Sequence, residues 1–327
     1  MGSSLSLFLI PRHSTAAASA PADPGLGELP ESCVASVMVY LEPSEICSLS
    51  MLNRAFRAAS SADFVWESKL PLNYGSLIER VFGGDDNFDT NLCKRDIYAR
   101  LCRPSYFDGG TKKVWLDKGT GRVCLSISAN GLVITGIDDR RYWSRIETDE
   151  SRLADQVCSD TFAETLLPKD SFLVLFGRSV LELHKMLFKS VAYLQQIWWF
   201  EVYGEVDFPF PAGSYSIFYR LQVGRASQRF GRRVCNSEHV HGWDKKPVQF
   251  QLSTSDGQQS TTQCYMKEPG KWKYHHVGDF IATGSTTTTT KVKFSMTQID
   301  CTHTKGGLCV DSVLICPIEF TERLKRF

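Results

Sequence analysis

Residues 29–70, LPESCVASVMVYLEPSEICSLSMLNRAFRAASSADFVWESKL, carry more apolar surface at helical spacing than a segment of about forty residues can bury within itself. Pro30 stands where a first helical residue tolerates proline, because the missing N–H would be unpaired there. Val34, Val37, Met38 and Leu41 follow at i, i+3, i+4 and i+7, one face of a helix. Pro43 ends that helix and opens another, with Glu42 and Glu45 near its positive end. Ile46, Leu49 and Leu52 give the second helix its apolar side, and Asn53 interrupts it. Arg54–Ser60 makes a short third turn carrying Phe56, and Asp63 reads as the N-cap of a last piece holding Trp66 and Leu70. No disulfide pattern supports the segment. Its surplus apolar face points to docking on another protein by a helix-in-groove mode, against the alternative of a helical hairpin packed on its own domain.

The texture changes at Thr111. VQFQL (248–252) and KVKFSM (291–296) alternate apolar and polar residues, the period of strands with one wet face. QIWWFEVYGEV (196–206) and SYSIFYRLQV (214–223) are more uniformly apolar and read as central strands, and LCVDSVLICPI (308–318) reads as a closing strand. SVLELHKMLF (179–188) fits a helix or a strand. With turns at Pro211-Ala212-Gly213, Ser255-Asp256-Gly257 and Lys305-Gly306-Gly307, this half favours an antiparallel sandwich or jelly roll. The expected fold is therefore α+β: a Ser/Ala/Pro-rich disordered arm over 1–24, helices over 25–72, a helical joint over 73–110 and a β-sandwich over 111–327.

Thirty-seven basic and 36 acidic residues leave a net charge of +1, which gives no pull toward nucleic acid or membrane. No apolar run approaches the roughly 20 residues that span a bilayer. The 11 cysteines are odd in number and lack CxxC spacing, as expected of reduced thiols in a cytoplasmic or nuclear protein. Cys301-Thr302-His303 with Cys309 fits no common zinc spacing, so no metal or cofactor is expected. Gly2 lies in a short myristoylation pattern, MGSSLS, against the alternative of an unmodified arm. No nucleophile elbow, P-loop, dinucleotide fingerprint or HExxH helix is present.

The densest polar constellation is GLVITGIDDRRYWSRI (131–146), read as two strands joined by a loop bearing Asp138 and Asp139. Arg141, Trp143 and Arg145 share one face of the second strand. Because unpaired buried guanidinium groups are costly, Trp143 is expected on the wet side. An exposed tryptophan beside two carboxylates can seat a pyranose, the ring covering its apolar face and the carboxylates accepting from its hydroxyls. The alternative is that Trp143 caps the sandwich edge. Adjacent carboxylates on one loop do not flank a bond from two sides, so they make no case for glycoside hydrolysis. Of His275 and His276, one must face out of its strand. Arg225, Arg229, Arg232 and Arg233 form a basic loop that is either solvated or a seat for an acidic partner.

Leu29, Pro30, Leu41, Pro43, Ile46, Leu49, the Asn53-Arg54-x-Phe56 step and Trp66 together resemble an F-box. From about Lys113 to Phe320 the chain resembles the phloem protein 2 domain, related to the tobacco-type lectin. That likeness rests on Trp115-Leu116-Asp117-Lys118, Ser128-Ala129, Leu132-x-Ile134, Asp138-Asp139 with Tyr142-Trp143, WWFEVYGEV and the strand near 308–318. In this order the two resemble a plant F-box protein of the phloem protein 2 class. The resemblance implies that Leu29, Pro30, Val34, Leu41, Pro43, Ile46 and Leu49 dock a Skp-type adaptor and, through it, a cullin. The chain would then be a non-catalytic substrate receptor of a ubiquitin ligase, its lectin-like half holding a target protein or glycoprotein. The alternative is a lectin for N-acetylglucosamine oligomers (chitooligosaccharides) or N-glycan cores that assembles no ligase. Trp143 matches the second of two tryptophans that flank the acidic loop in the lectins, Gly136 stands where the first would be, and Trp115 is a candidate to compensate.

Overall fold

The computed structural model describes residues 29–83, 92–147, 188, 190–229, 232–236, 239–284 and 289–324. Gly2, the 1–24 arm and nearly all of 179–188 lie outside the described residues.

Short helices come first. α1 (Glu31–Met38) starts after Pro30 and buries Val34, Ala35 and Met38. α2 (Pro43–Leu49) begins with proline and is closed by a capping box, the Glu45 carboxylate accepting from the Glu42 N–H at 2.8 Å. Asn53 does more than interrupt: its side chain accepts from the Phe56 N–H at 2.9 Å and caps α3 (Arg54–Ala59). Asp63 is the first residue of α4 (Asp63–Glu67) and not its cap. Its carboxylate accepts from the Lys94 N–H at 2.9 Å, tying α4 to the start of α6 (Lys94–Leu101). Trp66 is buried between these helices, its indole donating to the Ser60 carbonyl at 2.6 Å and its ring 5.2 Å from Tyr98.

The segment expected to be a joint is a packed layer. α5 (Tyr74–Phe82) and α6 lay Leu77, Phe82, Ile97, Tyr98 and Leu101 into one apolar cluster that runs from Val34 to Ile315. Hydrogen bonds stitch the same seam: Asn73 Nδ2 donates to the Pro209 carbonyl at 2.6 Å and the Tyr98 hydroxyl to the Lys118 carbonyl at 3.3 Å. At Gly121 (φ +68) an added Cβ would lie 2.8 Å from the Lys69 carbonyl oxygen, so the turn fits against the helices only as glycine.

Two antiparallel sheets face each other behind that layer. The larger contains β1 (Ser105–Phe107), β2 (Lys112–Leu116), β3 (Val123–Ser128), β5 (Trp143–Ile146), β6 (Val191–Leu194), β8 (Gly213–Val223), β13 (Trp272–Ala282) and β15 (Leu308–Pro317). The smaller has the order β12-β11-β14-β7-β4: Gln259–Cys264, Val248–Thr254, Thr290–Gln298, Phe200–Phe208 and Val133–Ile134. β9 (Arg225–Arg229) and β10 (Arg232–Asn236) pair as a separate hairpin. β15 is last in the chain but central in its sheet, pairing with β8, β3 and β6, and all ten of its residues are buried. β8 is likewise uniformly buried beyond its first two residues, because Phe320 and Leu324 of the C-terminal turn join Trp115, Phe218 and Leu314 over the sheet's outer side. β11 and β14 alternate as their sequences dictate, with Phe250, Leu252, Phe294 and Met296 turned inward. β7 alternates as strictly, so the strand part of QIWWFEVYGEV, from Phe200 on, has one wet face and is not buried on both sides.

Candidate functional site

Exposed large apolar side chains mark two surfaces in particular. The first lies on residues 29–70. On α1, Cys33 and Val37 lie four apart on the outer side, with Tyr40 just beyond, and Val37 and Tyr40 are 59% and 89% exposed. Met51, Leu52 and Phe64 are exposed as well.

The second surrounds the acidic loop. A reverse turn starts at Gly136 (φ +76), whose carbonyl accepts from the Asp139 N–H at 3.0 Å. The Asp139 carbonyl then accepts from the N–H groups of Tyr142 and Trp143. The Arg141 guanidinium reaches both carboxylate oxygens of Asp139, at 2.6 Å and 3.1 Å, and holds that carboxyl below the usual carboxylate range. Asp138 is exposed.

Trp143 is not on the wet side. It is 2% exposed, stacked 6.4 Å from Phe200, with its indole donating to the Thr135 carbonyl at 3.0 Å. The expectation failed because β5 begins at Trp143. Arg141 precedes the strand, in the turn, and so shares no face with Trp143; Arg145 lies out at the margin, bonded to Asn130. Trp115 does not compensate. It is buried on β2 in the cluster over the far side of the larger sheet, and its indole N–H has no hydrogen-bond partner. The cavity beside it, about 10 Å³ between α5, α6 and β2, has room for one water at most.

What the fold does bring to the loop is Trp198 and Trp199, 52% and 46% exposed. Ile197, just before them, lies against the turn: a Cβ on Gly136 would sit 3.8 Å from Ile197 and 3.2 Å from the Tyr142 ring. Ile197 also exchanges backbone hydrogen bonds with Lys305 at 2.8 Å. The Lys305 side chain is fully buried and donates to the carbonyls of Trp198 and Asp300, and burial pulls its ammonium pKa down. The tryptophan pair therefore stands on a fixed base.

A family model described as phloem protein 2 matches residues 179–317. The chain is 57% identical over 304 residues to F-box protein PP2-A12 of Arabidopsis thaliana, across 93% of this chain and 91% of that one. It is 55% identical to F-box protein PP2-A13, across 90% and 89% of the two chains, and 52% identical to F-box protein PP2-A11, across 99% of both, each from the same plant.

The chain belongs to the F-box proteins of the phloem protein 2 family.

A solved structure of TmCBM61 in complex with β-1,4-galactotriose aligns with 57% of this chain and 86% of that one, at 12% identity and a TM-score of 0.26, too remote to bear on function. In the F-box, Leu29 and Pro30 are exposed and Leu41 and Leu49 half-buried, while Val34, Pro43 and Ile46 lie inside the chain's own core. Val34, Pro43 and Ile46 therefore shape the helices and offer no side chain to a partner. Sequence reading missed Tyr40, Met51, Phe64, Trp199 and Tyr203 as surface residues. For Tyr203 a signal existed: counting by twos from buried Phe200 gives the inward positions and leaves Tyr203 on the outer face of β7.

Proposed function

We propose that this F-box protein is the substrate-recognition subunit of a Skp–cullin–F-box ubiquitin ligase. Its F-box would hold a Skp-type adaptor, and its phloem protein 2 sandwich would hold the target. The observation that carries the reading is the exposed apolar side of the F-box, Val37 and Phe64 on helices and Tyr40, Met51 and Leu52 in the turns that follow them, while Val34, Met38 and Ile46 face the chain's own core. Exposed apolar area of this kind is what a groove-bearing helical partner buries. Ubiquitin transfer would belong to other subunits. This chain's part is positioning: holding a target lysine beside the conjugating enzyme raises its effective concentration. Such a receptor works in the cytoplasm or nucleus.

The exposed tryptophans beside the acidic loop favour a glycoprotein among target classes, since aromatic faces cover the apolar side of sugar rings. The same observation keeps a second reading, a glycan-binding lectin that assembles no ligase.

Co-expression of the full chain with a plant Skp-type adaptor, followed by size-exclusion chromatography, tests the docking. The wild-type chain is expected to elute with the adaptor, and Val37→Asp with Leu52→Asp to elute alone while keeping its melting temperature. Co-elution that survives the double change would sink the docking reading.

A further inference from the structure

We propose that the outer face of the five-stranded sheet, centred on Trp199 and Tyr203, is the seat of an uncharged glycan chain. The proposal rests on reading the sandwich as the glycan-recognising half and moves the site off the acidic loop.

β7 fixes the geometry. Phe200, Val202 and Gly204 fill the core, so Glu201 and Tyr203 line up on the other side; Trp199 stands in the bend just before the strand, with its indole at Glu201. The Glu201 carboxylate accepts from the Trp199 indole at 3.3 Å, which orients that ring. The buried Lys305 holds the carbonyl of Trp198, one residue before it. Both restraints exist without ligand, so little ordering is left for binding to accomplish.

The register of the neighbouring strands places two polar rows beside these rings. Tyr203 lies opposite Ser295, which lies opposite Gln251, which lies opposite Thr261. Glu201 lies opposite Thr297, followed by Gln249 and Gln263. On the other flank Val133 pairs with Tyr203, and the Thr135 N–H donates to the Glu201 carbonyl at 3.1 Å. All six side chains in the two rows beyond β7 are uncharged. Amides and hydroxyls each donate and accept, which suits the vicinal hydroxyls of a sugar. The one charge in the rows, on Glu201, is half-buried and engaged by Trp199.

Charge decides between occupants. Charges of both signs occupy the same face from the next row on, where Lys293 lies opposite Glu205 and Lys291 pairs with Glu205 at 3.1 Å. Phosphate-bearing ligands and acidic peptides need free cationic donors where they sit; near the ringed end Lys305 is buried and donates to the Trp198 carbonyl, and Lys246 stands 4.0 Å from Asp300. An apolar helix needs a continuous apolar patch, and here amide rows break it. Two oriented rings beside neutral hydrogen-bonding rows suit a polyhydroxylated, uncharged chain.

The test is calorimetric titration of the full chain with tri-N-acetylchitotriose and, separately, mannopentaose. Trp199→Ala, Tyr203→Ala and Gln251→Lys are run beside Asp138→Asn, with melting curves confirming that each is folded. Saturable binding of either sugar by the wild type is expected, weakened about tenfold or more by each face variant and unchanged by Asp138→Asn. Binding lost in Asp138→Asn and kept in Trp199→Ala and Tyr203→Ala overturns the proposed face and leaves glycan recognition standing, with its site in the loop. No saturable heat with either sugar in the wild type overturns the glycan reading and this site together. The adaptor docking is read by a separate experiment and is untouched by either result.

Discussion

The F-box and the sandwich both expose large apolar side chains, but in different company. On the F-box they include Val37 on α1 and Met51 and Leu52 in the turn after α2, aliphatic groups beside the exposed rings of Tyr40 and Phe64. On the sandwich they include Trp199, just before β7, and Tyr203 on it, between Ser295 and Thr297 on one side and Val133 and Thr135 on the other. Aliphatic side chains offer a partner area and little direction. Rings set among amides and hydroxyls offer direction, because each ring has a face and each amide a donor and an acceptor. The two surfaces suit two classes of partner, and a change on either should leave the other's binding alone.

That separation breaks most visibly in the core. Ile46→Asp, which puts a charge at a position with no exposure, is expected to destabilise the chain by roughly 5 kcal/mol and to abolish adaptor binding only by unfolding the helices. Circular dichroism in urea separates this from the folded, non-binding Val37/Leu52 variant. Trp143→Ala is expected to cost about 3–5 kcal/mol, because a ring packed on Phe200 is lost. If stability were unchanged and sugar binding fell instead, the buried placement of Trp143 would be wrong.

A smaller effect concerns His275, half-buried and stacked 6.0 Å over Phe250, where burial and then the Lys273 charge pull its imidazole pKa down to about 4. An unfolded histidine titrates near 6.5. Between these values the unfolded chain binds a proton that the folded chain refuses, so stability is full above pH 6.5 and falls as pH drops toward 4. The loss is on the order of 1–2 kcal/mol once solvent access to the ring is allowed for. It should be missing from His275→Gln when melting is followed from pH 7 to 4.5. The smallest effect is at the loop. With Arg141→Gln, the Asp139 carboxyl should titrate closer to an ordinary aspartate by NMR, with sugar binding unmoved.

Much of this architecture was legible in the sequence. Pro43 with Glu42 and Glu45, and the alternation of VQFQL and KVKFSM, are local signals, and local hydrogen bonding and burial follow them. The His275-His276 pair also read correctly, with one ring against Phe250 and the other out beside Asp279. What was hidden depends on where a strand begins or what lies across it. Trp143 was misplaced because the strand starts two residues after Arg141 and not before it. The central seat of β15 depends on β3, β6 and β8, all far away in sequence. Val34 and Ile46 belong to the F-box pattern because they build the helices, and a pattern alone does not distinguish a residue that builds a surface from one that forms it.

The unbroken apolar seam through Leu77, Tyr98 and Leu101 has a consequence for inheritance. A gene that joined two independent modules by a tether could exchange its front half with any relative. Here an exchange near residue 110 would cut through packed side chains, and the incoming helices would have to match Val114, Leu116 and Val123 in shape. Recombinants between members of this family should survive only when both sides of that seam travel together, so the adaptor-facing and target-facing halves are expected to share one ancestry.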